Sequence, residues 1–440
     1  MNGDLPQGWA TARIADIATT QSGGTPSTAK REYWEGGDVP WINSGALKDT
    51  VIFSPSTFIT KLGLENSSAK MFPRKTVVIA LTGATTGRVG LLDLATSTNQ
   101  SVTGIFPSLA FVPEYLFYYL RSARDAVLEQ EMGSAQPHIN KRIVDELQVP
   151  LAPLAEQRRI VANLEALVGQ VDSSRQRLDK IRVLLKRFRQ AVLAAACSGR
   201  LTEDWREERD LDDEWPIAVL REVAKLRLGK MLDKAKNVGE PTRYLRNTNV
   251  RWFAFDLGDL ALMRATPEDR SELTIKHGDL LVCEGGEPGR CAVWNSGHTD
   301  LIFQKAIHRI RLIETASPQW LAFNIRNDAN TARLEYYFTG TTIKHLTGKA
   351  LAGYEFPLPP LAEQQEIVRR VESLFALADN IEQRYKKAQA FIDKLTPSLL
   401  AKAFRGELVP QDHNDEPASV LLERIKAERE KNKPQSRKKR

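Results

Sequence analysis

Apolar residues alternate four and three apart through two long stretches of this chain. Ile160, Leu164, Leu167, Val171, Ser174, Leu178, Ile181, Leu185, Phe188, Val192 and Ala195 keep that alternation for five heptads, with one serine in the series. Ile367, Val371, Leu374, Ala378, Ile381, Tyr385, Ala388, Ile392, Leu395 and Leu399 repeat it. A narrow seam sustained this long predicts two long helices that pair with each other, rather than two amphipathic helices packed on separate cores. Pro153 and Pro360 suit a first helical turn, and Gly199 and Gly406 a C-terminal cap. Gly169 is read through because its counterpart is Ala376, while Pro397 predicts a kink near the second helix's end. Outside these stretches the pattern is of short strands (77–81, 278–283, 301–313) and helical segments (113–130, 318–336), so each half predicts a mixed α/β domain.

The two stretches are copies. PLAPLAEQRRIV at 150–161 returns as PLPPLAEQQEIV at 357–368, 207 residues later, and about twenty of some fifty positions stay identical through Leu201 and Leu408. The same shift pairs Gly133 and His138 with Gly340 and His345. Further upstream only anchors survive: Trp9 with Trp215, Trp41-Ile42 and Leu47 with Tyr244-Leu245 and Val250, Gly87-Arg88 with Gly289-Arg290, and Gln100 with Gln304. The chain therefore reads as one duplicated unit: a domain over 1–149, a helix over 150–200, an acidic linker over 201–214, a second domain over 215–356, a second helix over 357–409, and a charged tail over 410–440 with a short helix at Ala418–Arg429. A helix of ~44 residues spans roughly 65 Å, whereas the linker reaches at most about 45 Å. If the second domain's ends lie close together, the second helix runs back antiparallel, with a domain at each end of a rod.

Charge changes the picture less than it first suggests. Formal net charge is +7 over 440 residues, but residues 424–440 hold nine Lys and Arg against two Glu, so the remainder sums to zero. Any nucleic-acid surface must then be a local patch. Cys197, Cys283 and Cys291 form no CxxC pair, and the six histidines show no ligand spacing, so neither structural zinc nor a disulfide framework is expected. With no basic start and apolar core at the N-terminus and no long apolar window, a cytoplasmic protein with no membrane contact is expected. Catalytic constellations are missing too. Gly340 through Lys349-Ala350 has the wrong spacing for a phosphate loop, and no NPPY- or DPPY-like tetrapeptide, G-x-S-x-G or nuclease carboxylate cluster is present.

LPQGW at 5–9, SGGTPS at 22–27, WINSGALK at 41–48, the two PLxPLAEQ helices, LKRFRQAVLAAACSGRLTEDWR at 185–206, AKAFRGELVP at 401–410 and LLERIKAERE at 421–430 occur in an order and duplication that resemble the specificity subunits of type I restriction-modification enzymes, especially the type IA branch. The resemblance covers essentially the whole chain. It implies an α+β fold, with two mixed α/β target-recognition domains on two long helices forming an antiparallel coiled coil under an internal pseudo-twofold repeat. It also implies a non-catalytic, sequence-specific DNA-binding subunit, each domain reading one half of a split site in double-stranded DNA and the helices setting the spacer. By the same resemblance, two modification subunits would supply S-adenosylmethionine-dependent adenine N6 methylation, and two restriction (motor) subunits would use ATP and Mg, leaving no cofactor or metal in this chain. The alternatives are a specificity subunit of a methylation-only complex or, from another class, a tandem peptide- or glycan-binding scaffold.

Polar loops beside the repeat anchors are the candidate DNA-reading positions: Asn43, Ser44, Lys48, Thr85, Thr86, Arg88, Gln100, His138 and Asn140 in the first domain, and Arg246, Asn247, Asn249, Arg251, Arg290, Gln304, Lys305, Lys344 and His345 in the second. Arg, Asn and Gln can pair bidentately with base edges, and Lys and Thr hold phosphates. Gln100 and Gln304 could equally be core hydrogen-bonding residues. The helix starts, Leu154, Glu156 and Gln157 with Leu361, Glu363 and Gln364, are candidates for docking the modification subunit, or for helix initiation with Glu at the positive end of the dipole. Arg182, Lys186, Arg187 and Arg189 read as a solvated basic face, with spacer DNA or a partner as the other option.

Overall fold

The computed structural model describes residues 5–129, 139–212, 214–233, 237–297 and 300–431. Gly133, His138 and the basic run after Lys431 lie outside them. The chain divides into two units, 1–177 with 388–440, and 178–387. Each therefore combines one domain with part of both long helices.

In the first unit, Ala10–Arg13 pairs antiparallel with Gln148–Leu151, Ala10 opposite Leu151, which ties the domain's entry to its exit. A five-stranded sheet runs in the order Thr20–Ser22, Val102–Ile105, Val77–Ala80, Val89–Leu92, Thr50–Ile52. A second sheet orders Thr57–Ile59, Val39–Ile42, Thr96–Thr98, Met71–Phe72, and its central pair is parallel. Val77–Ala80 and Val89–Leu92 are wholly buried, as continuous apolar runs in a covered sheet should be. The core joins Ile79, Tyr115 and Leu116 to Ile160 and Leu164 of the central helix and to Leu400 and Phe404. A further helix, Ala418–Lys431, is moored to the domain's start by the Ala418 N–H donating to the Gly8 carbonyl (2.9 Å) and by Ile425 in that same core.

The second unit repeats the plan. Ile217–Val219 pairs with Glu355–Pro357, Ile217 opposite Pro357, so the second domain's ends do lie side by side. Its main sheet orders Ala224–Leu228, Ile307–Leu312, Leu280–Cys283, Cys291–Val293, the order of the first four strands in the other domain. Glu240–Leu245 lies parallel to Ile302–Phe303, as Val39–Ile42 does to Thr96–Thr98. Loop hydrogen bonds repeat as well. Gly87 N–H to Ala80 C=O has its copy in Gly289 to Cys283, and both glycines need positive φ (75° and 89°) at that turn.

That skeleton corrects one alignment. Asn99 donates to Ile42 and accepts from Val102, and Gln304 donates to Leu245 and accepts from Ile307. Gln304 is thus the counterpart of Asn99, and Gln100 that of Lys305. The shared glutamine had drawn the match one residue out of step.

The helices span Leu154–Cys197 and Leu361–Ala403, and helical assignment continues through both Gly169 and Pro397. Gly199 and Gly406 adopt left-handed φ (81° and 73°) just beyond the ends. In the first unit Ile160 and Leu164, from the start of one helix, share a core with Leu400 and Ala403, from the end of the other. In the second, Val192 and Leu193 share a core with Ile367 and Val371. Both pairings are antiparallel. Arg175 reaches Asp393 (3.1 Å) in the first unit; Arg189 reaches Asp379 (2.6 Å) and Glu382 (2.8 Å) in the second. The seam thins at Ser174, Phe188 and Ile381, which are exposed.

Candidate nucleic-acid interface

Each domain is locked to its helix by the Leu-Ala-Glu-Gln segment. Glu156 Oε2 accepts from Trp9 Nε1 (3.1 Å), and Glu363 Oε2 accepts from Trp215 Nε1 (3.0 Å). Gln157 accepts from the Val112 N–H (2.8 Å) and donates to the carbonyls of Ala110 and Ala152 (3.3 and 2.9 Å). Gln364 accepts from the Ser317 N–H (2.8 Å) and donates to Thr315 and Pro359 (3.0 and 2.7 Å). None of the four side chains is more than 1 % exposed. This corrects the docking expectation for Glu156, Gln157, Glu363 and Gln364, because groups consumed by internal bonds and closed to solvent cannot meet a partner. Leu154 is half-buried and Leu361 exposed, so both keep accessible surface.

The two locks differ in one respect. Glu363 Oε1 also accepts from Arg206 Nη1 (2.7 Å) and Thr202 Oγ1 (2.8 Å). Among the described residues, Glu156 Oε1 is buried with no hydrogen-bond partner. The repeat replaces Thr202 and Arg206 by Val409 and His413, and burial, partly offset by the Trp9 N–H, holds the Glu156 carboxyl above its ordinary range.

In the first domain, three loops converge at one end of the main sheet. The Asn99 N–H to Ile42 bond puts Asn99 and Gln100 beside Asn43, and the Ile139 N–H to Leu81 bond puts Asn140 beside the hairpin that carries Thr85, Thr86 and Arg88. Asp49 joins the turn after Asn43 to that hairpin, its N–H donating to Val89 C=O and its Oδ1 accepting from Val89 N–H. Asn43 and Lys48 are exposed on an open groove of about 580 Å³ that also takes in Thr50, Phe53 and Ser56. Ser44, Thr85 and Arg88 are half-buried. Gln100 is exposed and bonded to Thr25. Asn140 is exposed, but its Oδ1 caps the helix Lys141–Glu146 by accepting from Ile143 N–H (3.1 Å). Thr86 is withdrawn as a DNA contact, since it is buried with its hydroxyl donating to Gly83 C=O (2.6 Å).

The second domain builds the same end from different side chains. The turn Arg246–Asn249, the hairpin Glu284–Arg290 and the segment at His345 meet there, joined by Leu346 N–H to Glu284 C=O (2.8 Å) and Arg290 Nη2 to Asn247 C=O (2.7 Å). Asn249 is withdrawn as a base reader: it is buried, accepts from Arg246 N–H and donates to Asp256 and Asp259, so its amide is spent inside the loop. Arg290 is similarly occupied, with Asn247 and Glu287 as acceptors, and orients the turn rather than reaching out. Arg246 pairs with Asp259 (2.6 Å) and Arg251 with Asp256 (3.4 Å). Asn247, Gln304 and His345 are half-buried, Lys305 and Lys344 exposed, and among the described residues no hydrogen bond is made by the side chain of any of these five.

Sequence reasoning missed Glu284, Glu287 and Trp252. Glu287 accepts from Trp252 Nε1 (2.6 Å) and from Arg290, while Arg326 stacks on Trp252 at 4.3 Å, which stiffens the hairpin from behind. The signal available was a Glu on either side of Gly285-Gly286 after a buried strand. Among the described residues no group of three or more His, Cys, Asp or Glu could hold a metal, and no helix is long and apolar enough to cross a membrane.

A fold that builds one loop platform twice on a shared pair of helices defines a bivalent recognition protein. The family model for the type I restriction modification DNA specificity domain matches this chain twice, at residues 6–183 and 212–390. The chain belongs to that family. It is 30 % identical to the type I restriction enzyme EcoKI specificity subunit of Escherichia coli K12, over 97 % of each chain, and 30 % identical to the StySPI specificity subunit of Salmonella potsdam, over 97 % of this chain and 96 % of that one. Among solved structures it resembles a chain from a study of assembly and conformational transition in the type I R-M system (TM-score 0.74, 21 % identity, 92 % of this chain and 100 % of that one). It also resembles the HsdS subunit of Thermoanaerobacter tengcongensis (TM-score 0.60, 20 % identity, 92 % and 99 %). The expected α+β architecture with two recognition domains is met.

Proposed function

We propose that this chain is the DNA-reading subunit of a type I restriction-modification complex. Each domain reads one half of a split target in double-stranded DNA, and the helices fix the spacer between the halves. The observation that carries this reading is one backbone skeleton presenting unlike side chains at equivalent points: Ser44 against Asn247, Asn99 against Gln304, Gln100 against Lys305. Two sites that share geometry but differ in hydrogen-bonding pattern suit two different base sequences. Asn43, Ser44, Lys48, Thr85, Arg88, Gln100 and Asn140 in the first domain, and Asn247, Gln304, Lys305, Lys344 and His345 in the second, are the retained contacts. Adenine N6 methylation with S-adenosylmethionine is assigned to two modification subunits, and ATP- and Mg-dependent cleavage to two restriction subunits. Exposed helix surface, including Leu361, offers the modification subunits their docking area.

Mapping methylated adenines in cells that express the chain with its modification subunit tests this. A two-part motif with a fixed spacer is expected. A continuous motif, or no DNA footprint by the assembled complex, would overturn the proposal.

A further inference from the structure

Glu284 ends the strand Leu280–Cys283 at the centre of the second domain's loop platform. Its backbone is fixed on both sides, the N–H donating to Ala306 C=O (2.9 Å) and the C=O accepting from Leu346 N–H (2.8 Å). Its side chain is only 20 % exposed, and among the described residues no hydrogen bond engages the carboxylate. The nearest basic group, His308 Nε2 at 3.6 Å, is spent on Leu346 C=O (3.0 Å), and burial pushes that imidazole below its ordinary range, so it brings no formal charge at neutral pH. A carboxylate one-fifth exposed, with neither cation nor donor bound among the described residues, keeps its acceptor capacity for a donor arriving from outside.

The surroundings suit an incoming base edge. Gly285 and Gly286 follow directly, the second at φ 80°. A Cβ at Gly285 would lie 3.3 Å from the His345 ring, and one at Gly286 would lie 3.1 Å from Asn247 Nδ2. The glycines let these two polar side chains, neither engaged by a hydrogen bond among the described residues, lie close to the backbone. Leu81 holds the equivalent position in the first domain, bonded to Ser101 and Ile139 as Glu284 is to Ala306 and Leu346.

We propose that Glu284 is a base-discriminating residue of the second half-site, accepting a hydrogen bond from the exocyclic amino group of cytosine (N4) or adenine (N6) in the major groove. The inference rests on the DNA-reading function proposed above. Carboxylates accept from amino groups and repel the acceptor edges of guanine and thymine, so the acid rejects as well as selects. Leu81 is buried in the first domain's core and offers no polar group at that point, so this acceptor belongs to the second half-site alone.

The test uses the full chain assembled with its modification subunits, binding duplexes that carry each base pair in turn across both half-sites, with Glu284→Gln and Glu284→Leu as variants. Glu284→Leu is expected to lose discrimination roughly ten- to hundred-fold at a single base pair of the second half-site, with the first half-site unchanged, whereas Glu284→Gln, which keeps an acceptor and adds a donor, should lose it if the base is cytosine and keep it if the base is adenine. Wild type should bind 2-pyrimidinone in place of cytosine, or purine in place of adenine, as poorly as a mismatch at that position, and whichever analogue does so names the base. Unaltered preference in both variants, or an equal loss on every duplex, would overturn the assignment of Glu284. A wild-type complex showing no second half-site would instead overturn the DNA-reading proposal itself.

Discussion

At the residue scale, the two helix-start glutamates make opposite predictions despite identical sequence context. Glu363 has three donors, one of them the buried Arg206 guanidinium, so Glu363→Gln, which removes the charge they converge on, should cost about 1.5–3 kcal/mol. Glu156 has Trp9 alone, and Glu156→Gln keeps an acceptor for it while removing a buried charge, so unfolding at neutral pH should shift by less than about 1 kcal/mol or favour the variant. The pH dependence has a defined sign. Burial raises the folded-state pKa of Glu156, so its contribution is full below the ordinary carboxylate range and is lost as pH rises through the folded value. Wild type should therefore lose ground to Glu156→Gln with rising pH. Glu366 behaves inversely: Arg369, then Arg370, hold it at about 2, so its stabilisation is present above the ordinary range and lost as pH falls toward that value. Glu366→Gln should lower the melting temperature at pH 7 and make little difference near pH 2. Thermal unfolding against pH for all three variants, with hydrogen exchange of the amides in Leu154–Cys197 and Leu361–Ala403, checks these outcomes.

At the element scale, burial along the helices separates seam positions that the heptad pattern treats as equal. Leu164 has no exposed surface and Phe188 retains 36 %. Leu164→Ala should cost about 2–5 kcal/mol in equilibrium unfolding of its unit, whereas Phe188→Ala should cost under about 1 kcal/mol. Both helices were legible because a 3.5-residue period over more than thirty positions leaves no other element to fit. The buried strands were legible as apolar runs between turn residues. The loop register was not, because one glutamine coincidence outweighed backbone bonds that leave no trace in side-chain identity, and Gln100 was set against Gln304 when its counterpart is Lys305. Nor was the fate of Glu156 and Gln157, since a polar run at a helix start looks the same whether it faces solvent, a partner or the domain's own carbonyls. Asn249 misled for a related reason: Asn is equally suited to reading adenine and to closing a turn, and only the positions of Asp256 and Asp259 decide between them.

At the scale of the whole molecule, duplication makes each domain replaceable in principle, but the helix-start locks set the conditions. Exchanging residues 1–149 for another recognition domain should rewrite one half of the target and leave the other half and the spacer intact, because the second unit's core, including Ile367, Val371 and Trp320, contains no residue of that segment. Success requires the incoming domain to restore what the helices expect from it: an indole donor for Glu156, backbone partners at the positions of Ala110 and Val112 for Gln157, and rings at Tyr115 and Tyr119 against Phe404, whose centroids lie 5.2 and 5.3 Å away. A chimera that keeps these contacts should assemble and methylate a new two-part site. One that also carries Trp9→Phe leaves Glu156 without its one donor, and should assemble poorly while any methylation still falls on the same new site. Long-read mapping of methylated adenines for the two chimeras separates stability from specificity: a change in both half-sites after a single exchange would refute independent reading, and full assembly of the Trp9→Phe chimera would refute the lock.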